Sequence, residues 1–131
     1  MQFYEHRTHE DHRRRGAYDI VPGLAGDMNF TVHNSAIVPH EWHMHKLHTD
    51  YFAVVKGKIL FRMVYDDERP EEKIVLTEDD HKTLILPPNV WHNYIAVEPS
   101  ILVFYTSHKF NVDDEFRRPC DATGWNIESD N

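Results

Sequence analysis

No stretch of this 131-residue chain keeps apolar residues at a convincing helical spacing; short apolar runs broken by turn residues recur along most of it. The runs read as strands at Ala17–Val21, Met28–Val38, Tyr51–Val55, Lys58–Tyr65, Lys73–Leu76, Thr83–Leu86, His92–Val97 and Ile101–Ser107. They are rich in Val, Ile, Phe and Tyr, whose branched or flat side chains suit a pleated, half-buried surface. Turn signals separate them: Pro22-Gly23, Gly26-Asp27, Lys56-Gly57, Asp66–Pro70, Pro87–Asn89 and Glu98–Ser100. Such a pattern predicts an all-β sandwich or barrel. The charge run DDERPEE at Asp66–Glu72 reads as a solvated hairpin loop. The polar tail from Asn111 to Asn131 predicts a short helix at Val112–Arg117 and then irregular chain, with Trp125 and Ile127 as anchors.

Length sets one domain, residues 1–131, with a barrel core over about 17–107 and a polar tail over 111–131. A net charge of −8 argues against a nucleic-acid surface, although a local basic cluster could still hold an anionic ligand. The single cysteine, Cys120, excludes an intrachain disulfide and suits a reducing compartment. It has no sequence-evident base beside it. The N-terminal stretch MQFYEHRTHEDHRRRG carries no apolar signal segment, and no apolar run reaches the ~18 residues of a membrane span. A cytoplasmic protein without membrane contact is expected.

Within the strand pattern lies a spaced set of histidines and one acid: His43-Met44-His45, Asp50, Gly57, Pro87 and His92. Two histidines at i and i+2 on a strand share a face. Asp50 follows after a short gap, and His92 opens a strand just past a Pro-Pro-Asn turn. Two chemistries fit this set. His43, His45, Asp50 and His92 would make a three-histidine, one-carboxylate site for a divalent ion such as Zn, Fe, Mn or Ni. His48 competes for the Asp50 place, but on a strand that continued regularly it would point away from His43. The same imidazoles could instead move protons near neutral pH. His43 or His45 would be the base, and Tyr105 in SILVFYTS the acid, unless Tyr105 is a core aromatic at the barrel edge.

No glycine-rich phosphate loop is present, so any phosphate must be held by basic side chains. Lys46, Arg62 and His92 are the candidates to contact a substrate, with Lys58, Lys109, Arg117 and Arg118 as further cations. His6, His9 and His12 recur beside Arg13–Arg15, where a metal or anion patch could form, but the stretch reads first as a mobile charged arm. His33, His40, His81 and His108 have no partner evident from spacing and read as surface or structural.

HMHKLHTDYFAVVKG resembles the first motif of the cupins: His-x-His, four residues, an acid, six residues, Gly. LPPNVWH resembles the second, Pro-x-Gly-x-x-His, with Asn89 in place of Gly and Ala96 in place of a terminal Asn. The resemblance, over roughly 38–107, implies a double-stranded β-helix of jelly-roll type and a homodimer. HMHK, PPNVWH and FYTSHKFNVDDEFRRP are also similar to strings in dTDP-4-keto-6-deoxyhexose 3,4-ketoisomerases and in relatives of dTDP-4-dehydrorhamnose 3,5-epimerase. The likeness implies a small-molecule substrate, a nucleotide-linked sugar, and proton transfer beside its keto group. The epimerases' Arg-Gly-Leu-His is replaced here by Pro39-His-Glu-Trp-His43. Asp50 stands where the ketoisomerases carry Gln, and Phe110 where an aromatic hydroxyl is often found. Asp50 restores a metal ligand, so a metal-dependent oxygenase or isomerase is the alternative, and a non-catalytic sugar-binding cupin the second alternative. A pure epimerase or ketoisomerase would need no cofactor.

Overall fold

Eleven strands, all antiparallel, form two sheets among residues 1–21 and 23–125, the part of the chain that the computed structural model describes. In chain order they are β1 (Arg7–Glu10), β2 (Arg14–Tyr18), β3 (Asp27–His33), β4 (Glu41–Met44), β5 (Asp50–Lys56), β6 (Lys58–Val64), β7 (Glu72–Thr77), β8 (Leu84–Leu86), β9 (Trp91–Ala96), β10 (Ser100–Thr106) and β11 (Phe116–Pro119). One sheet has the order β1-β2-β3-β10-β5-β8 and the other β11-β4-β9-β6-β7. The result is the jelly-roll-like β fold of the cupins.

The β5–β6 hairpin depends on Gly57. Its φ is +86°, and a Cβ there would lie 2.3 Å from Ser100 Oγ and 2.4 Å from the Pro99 carbonyl. Both the backbone region and the space exclude a side chain. From this turn β6 runs between β9 and β7 and is buried on both faces. Ile59, Phe61 and Met63 pack inward with Phe52, Val54, Leu76, Leu86 and Leu102. Leu60 packs on the other face with Trp42, Met44, Trp91, Ile95 and Trp125. The C-terminal segment covers this second cluster, because Phe116 and Cys120 also pack against it. Each fully buried large side chain contributes roughly 1.5–3 kcal/mol.

β3 reverses the usual pattern. Its buried, inward residues are Asp27, Asn29, Thr31 and His33, whereas Met28, Phe30 and Val32 alternate with them on the opposite face. The space between the β2–β3 end of one sheet and β4 of the other is therefore polar, and the apolar core lies toward β5, β6 and β7.

Three expectations need correction. The N-terminal arm is a β1–β2 hairpin on the sheet edge, stabilised by Asp11, whose Oδ1 accepts from the backbone N–H of Arg13 at 2.8 Å and of Arg14 at 3.3 Å. This side-chain turn is what apolar patterning cannot report. The third strand stops at His33 rather than Val38, since an Asn34-Ser35 bend ends the ladder. Among the described residues of the C-terminal segment only Val112–Asp114 turns helically, capped by the Asn111 side chain, and Phe116–Pro119 extends to pair with β4. Pro22 and Ile127 lie outside the described residues.

Candidate functional site

β4 alternates strictly. Trp42 and Met44 enter the outer cluster, so His43 faces the interior, where its Cα pairs with that of His92 on β9. The strand ends at Met44 and the chain bends through Lys46-Leu47. Asp114, 4% exposed, organises that bend: Oδ1 accepts from the backbone N–H of Lys46 at 2.8 Å and of Leu47 at 3.2 Å. Because the bend breaks the period of two, His48 returns to the site instead of pointing away. Its ring centroid lies 3.9 Å from that of His45, and its Nε2 lies 3.1 Å from Asp50 Oδ1.

The second motif is tied to the first through backbone. Asn89 N–H donates to the His45 carbonyl at 2.8 Å, and Asn89 takes a φ of +70°. Asparagine is among the few non-glycine residues that occupy this left-handed region readily, which explains its standing where the cupin motif has glycine. Two ring orientations follow from carbonyl acceptors. His45 Nδ1 donates to the Asp114 carbonyl at 2.9 Å, and His92 Nδ1 donates to the Val90 carbonyl at 3.0 Å. Their Nε2 atoms lie 3.9 Å and 3.6 Å from Asp50 Oδ2.

The donor atoms of His45, Asp50 and His92 lie within 4.8 Å of one another, as do those of His45, His48 and Asp114. His43 belongs to neither set. Imidazoles oriented by carbonyls and facing a buried carboxylate suit a divalent cation. The residues present therefore fit a metal ion, which His45, Asp50 and His92 would hold.

Burial sets the protonation states. It pushes His43 down to about 4, aided by His92 and Arg117, so its imidazole is neutral at neutral pH. Burial also lowers His92, against the opposing pull of Asp50. For His48 burial acts downward too, but the carboxylates of Asp50 and Asp114 outweigh it and raise its pKa.

A cavity of about 340 Å³ opens beside His43. His43, Tyr94 and His33 line it together with His12, Arg13 and Arg14 from the β1–β2 hairpin. Tyr94 stacks edge-on against His33 and accepts a hydrogen bond from Arg14 Nη1 at 2.8 Å. Sequence spacing did not single out Arg14, His33, Tyr94 or Asp114. The alternation Arg14, Gly16, Tyr18 along β2 is the one signal that could have marked Arg14 as inward.

Two expected site residues lie elsewhere. Arg62 is on the outer face of β6, its guanidinium 5.0 Å from the Trp42 ring and 4.6 Å from the Trp125 ring. There it donates to Glu71 and to the Thr123 carbonyl. Tyr105 shares its face of β10 with Ile101 and Val103, opposite the inward Leu102 and Phe104, and packs on Tyr51 with centroids 6.0 Å apart. Parity along the two strands thus turns both away from the histidines. Lys46 sets its ammonium 4.6 Å over the Phe116 ring. Lys109 pairs with Asp19 and Asp27, Arg117 with Glu115 and Glu41, and Arg118 with Asp66.

Residues 26–121 match the family described as FdtA: WxcM-like, C-terminal, and the chain belongs to that family, of cupin type. No curated protein matched the sequence. Among solved structures, the capsular polysaccharide assembling protein CapF of Staphylococcus aureus has a TM-score of 0.75 at 17% identity, over 86% of this chain and 31% of that one. The rmlC epimerase of Mycobacterium tuberculosis has a TM-score of 0.58 at 18% identity, over 67% and 48%. Oxalate decarboxylase of Bacillus subtilis has a TM-score of 0.71 at 12% identity, over 88% and 31%. The chain thus spans half or less of the length of each of these proteins, and the likeness establishes the fold. Among the described residues no helix is long and apolar enough to cross a membrane.

Proposed function

We propose that the protein is an epimerase or ketoisomerase of a nucleotide-linked 4-keto-6-deoxyhexose, acting by proton transfer next to the keto group. The observation that carries this reading is a neutral, inward-facing His43 on the wall of a cavity that also holds the Tyr94 hydroxyl. Proton abstraction alpha to a ketone needs an unprotonated base and a hydrogen-bond donor for the developing enolate oxygen. His43 supplies the first. Tyr94 replaces Tyr105 as the phenol that can supply the second. The imidazolium that His43 becomes on abstracting the proton can return it to the neighbouring carbon. The substrate class rests on the resemblance of HMHK, PPNVWH and FYTSHKFNVDDEFRRP to the sugar ketoisomerases and epimerases.

Incubation with 4-keto-6-deoxyglucose linked to dTDP, UDP or GDP, in deuterated water, tests the reading. Deuterium is expected at C3 or C5 for an epimerase, or at C4 of the 3-keto product for a ketoisomerase, with His43→Gln slowing its entry by about 10²–10⁴-fold. No incorporation from any of the three overturns it.

A second reading, a metal-dependent cupin, rests on the convergence of His45, Asp50 and His92 around oriented Nε2 atoms. A bound divalent ion would polarise a substrate oxygen as a Lewis acid. Elemental analysis of untagged protein should then find one equivalent that His45→Ala removes; a metal-free wild type counts against it.

The functional unit in this proposal is a cytoplasmic homodimer. The outer face of the six-stranded sheet supports it. That face carries Tyr51, Val55 and Ile85, which are 36%, 51% and 56% exposed, beside the half-buried Phe30 and Val103. Contiguous apolar surface of this kind marks an association site.

A further inference from the structure

Asp50 and His92 are buried, and the side chains of His45 and His48 are nearly so. None of the four lines the cavity beside His43. One side of this imidazole–carboxylate cluster is covered by Asp114. Its backbone carbonyl meets His45 Nδ1 at 2.9 Å, and its Oδ2 lies 3.7 Å from His48 Nδ1. Its Oδ1 accepts from the N–H groups of Lys46 and Leu47, so the same carboxylate also holds the bend between β4 and β5.

Asp114 is delivered by residues 107–115, within the connection from β10 to β11. Residues 108–113 are all exposed, with Phe110 at 62% and Val112 at 69%, and neither packs in a core cluster. The start of the segment is fixed by Ser107, whose N–H donates to the Thr49 carbonyl at 3.0 Å and whose Oγ accepts from the Thr49 N–H at 2.9 Å. Beyond it, one latch ties the segment to the barrel. The Phe110 N–H donates to Asp27 Oδ2 at 3.1 Å, and Lys109 Nζ reaches Asp19 at 2.7 Å and Asp27 at 3.3 Å. Arg7 approaches the same Asp27 carboxylate at 3.7 Å. Lys109 is half exposed, and ion pairs in contact with water hold weakly. A segment with so little buried apolar contact opens at a free energy below that of global unfolding.

We infer that residues 107–115 form a strap that gates the imidazole–carboxylate cluster: released from Asp27, the strap carries Asp114 off the bend between β4 and β5 and opens His45 and His48 to solvent. Lys46 and Leu47 lose their shared acceptor in the open form, so the latch at Asp27 and the bend at Lys46 open together. The gate lies apart from the cavity that the keto-sugar reading uses. It gives the metal reading an entry path to a buried donor set, and it stands whatever enters.

Amide hydrogen exchange of the full chain, read by NMR, follows the bend. Diethyl pyrocarbonate, read by peptide mass spectrometry, reports access to the His45 and His48 rings. In the wild type, Lys46 and Leu47 should exchange about 10-fold or more faster than the fully buried Leu60 and Leu102. Lys109→Met removes the solvent-facing half of the latch and leaves the cluster's own residues in place. It should speed exchange at Lys46 and Leu47 and modification of His45 and His48 together, by about 2- to 5-fold. Asp27→Asn weakens every contact of the latch and should raise both by about 10-fold. Modification of His43, on the cavity wall, should not change. Lys56→Met removes an exposed lysine at the end of β5 away from Asp50, matches the change in charge and should alter neither readout. Should Asp27→Asn fail to fold, Lys109→Met decides. Wild-type Lys46 and Leu47 amides as slow as Leu60 and Leu102 overturn the inference. So does acceleration confined to residues 108–110, or faster exchange at the bend with unchanged modification of His45 and His48.

Discussion

Replacing Arg62 by methionine should destabilise the domain through the outer cluster while leaving the interior site unchanged. The guanidinium lies against two neighbouring indoles, 5.0 Å from Trp42 and 4.6 Å from Trp125, whose centroids are 5.9 Å apart. Such contacts contribute ~0.5–1 kcal/mol when exposed and ~2 kcal/mol when desolvated. The Arg62 side chain is 9% exposed, so the upper half of that range applies to at least one of them. Its Nε donates to Glu71 at 3.2 Å and its Nη1 to the Thr123 carbonyl at 3.1 Å. Breaking a buried pair costs ~3–5 kcal/mol, but the Glu71 side chain is 30% exposed and can be rehydrated, which lowers that figure. Methionine keeps most of the aliphatic packing. The net loss is then about 2–4 kcal/mol, or roughly 10 °C in Tm for a domain of this size. Urea unfolding followed by tryptophan fluorescence measures it, and a cycle with Glu71→Gln isolates the ion pair. Ligand affinity of the folded fraction should not change. A loss below about 1 kcal/mol, or normal stability with weakened nucleotide binding, would refute the structural role and return Arg62 to the substrate.

His33 is buried and its pKa is pushed down to about 4, chiefly by desolvation and then by Arg14, against 6.5 when free. The unfolded chain therefore binds the extra proton first, and the stability this group contributes is complete above pH 6.5 and lost as pH falls toward 4, by roughly 3 kcal/mol. His33→Gln should flatten that part of the pH–stability curve by one proton's slope; an unchanged slope refutes the assignment. Gly57→Ala should cost more than about 2 kcal/mol, since alanine meets both a left-handed φ and the Pro99 carbonyl, whereas Asn89→Gly should change stability by less than about 1 kcal/mol. Ile85→Lys, on the apolar outer face, should shift the protein from dimer to monomer in sedimentation without altering its circular dichroism; a monomeric wild type, or a variant that stays dimeric, counts against that interface.

The sequence by itself determined the class of fold and the central face of the site. Short β-branched runs with turns between them can bury themselves only by stacking sheets, and a strict period of two sends His43 inward once Trp42 and Met44 go outward. Gly57 and the Pro87–His92 turn were legible because each needs a special backbone. Everything that depends on a broken period was decided by tertiary structure. His48 reaches Asp50 because the chain bends at Lys46, held there by Asp114 from a turn 68 residues away. Arg62 and Tyr105 look like functional residues in one dimension, and strand parity sets them on outer faces among aromatics. Arg14 sits in a run of three arginines that reads as a solvated arm, and only the Asp11 turn folds that arm back so that two of the three, Arg13 and Arg14, line the cavity. Patterning reports which way a regular strand faces. It carries no information on where hydrogen bonds made by distant side chains bend the chain, and here those bends assemble the site.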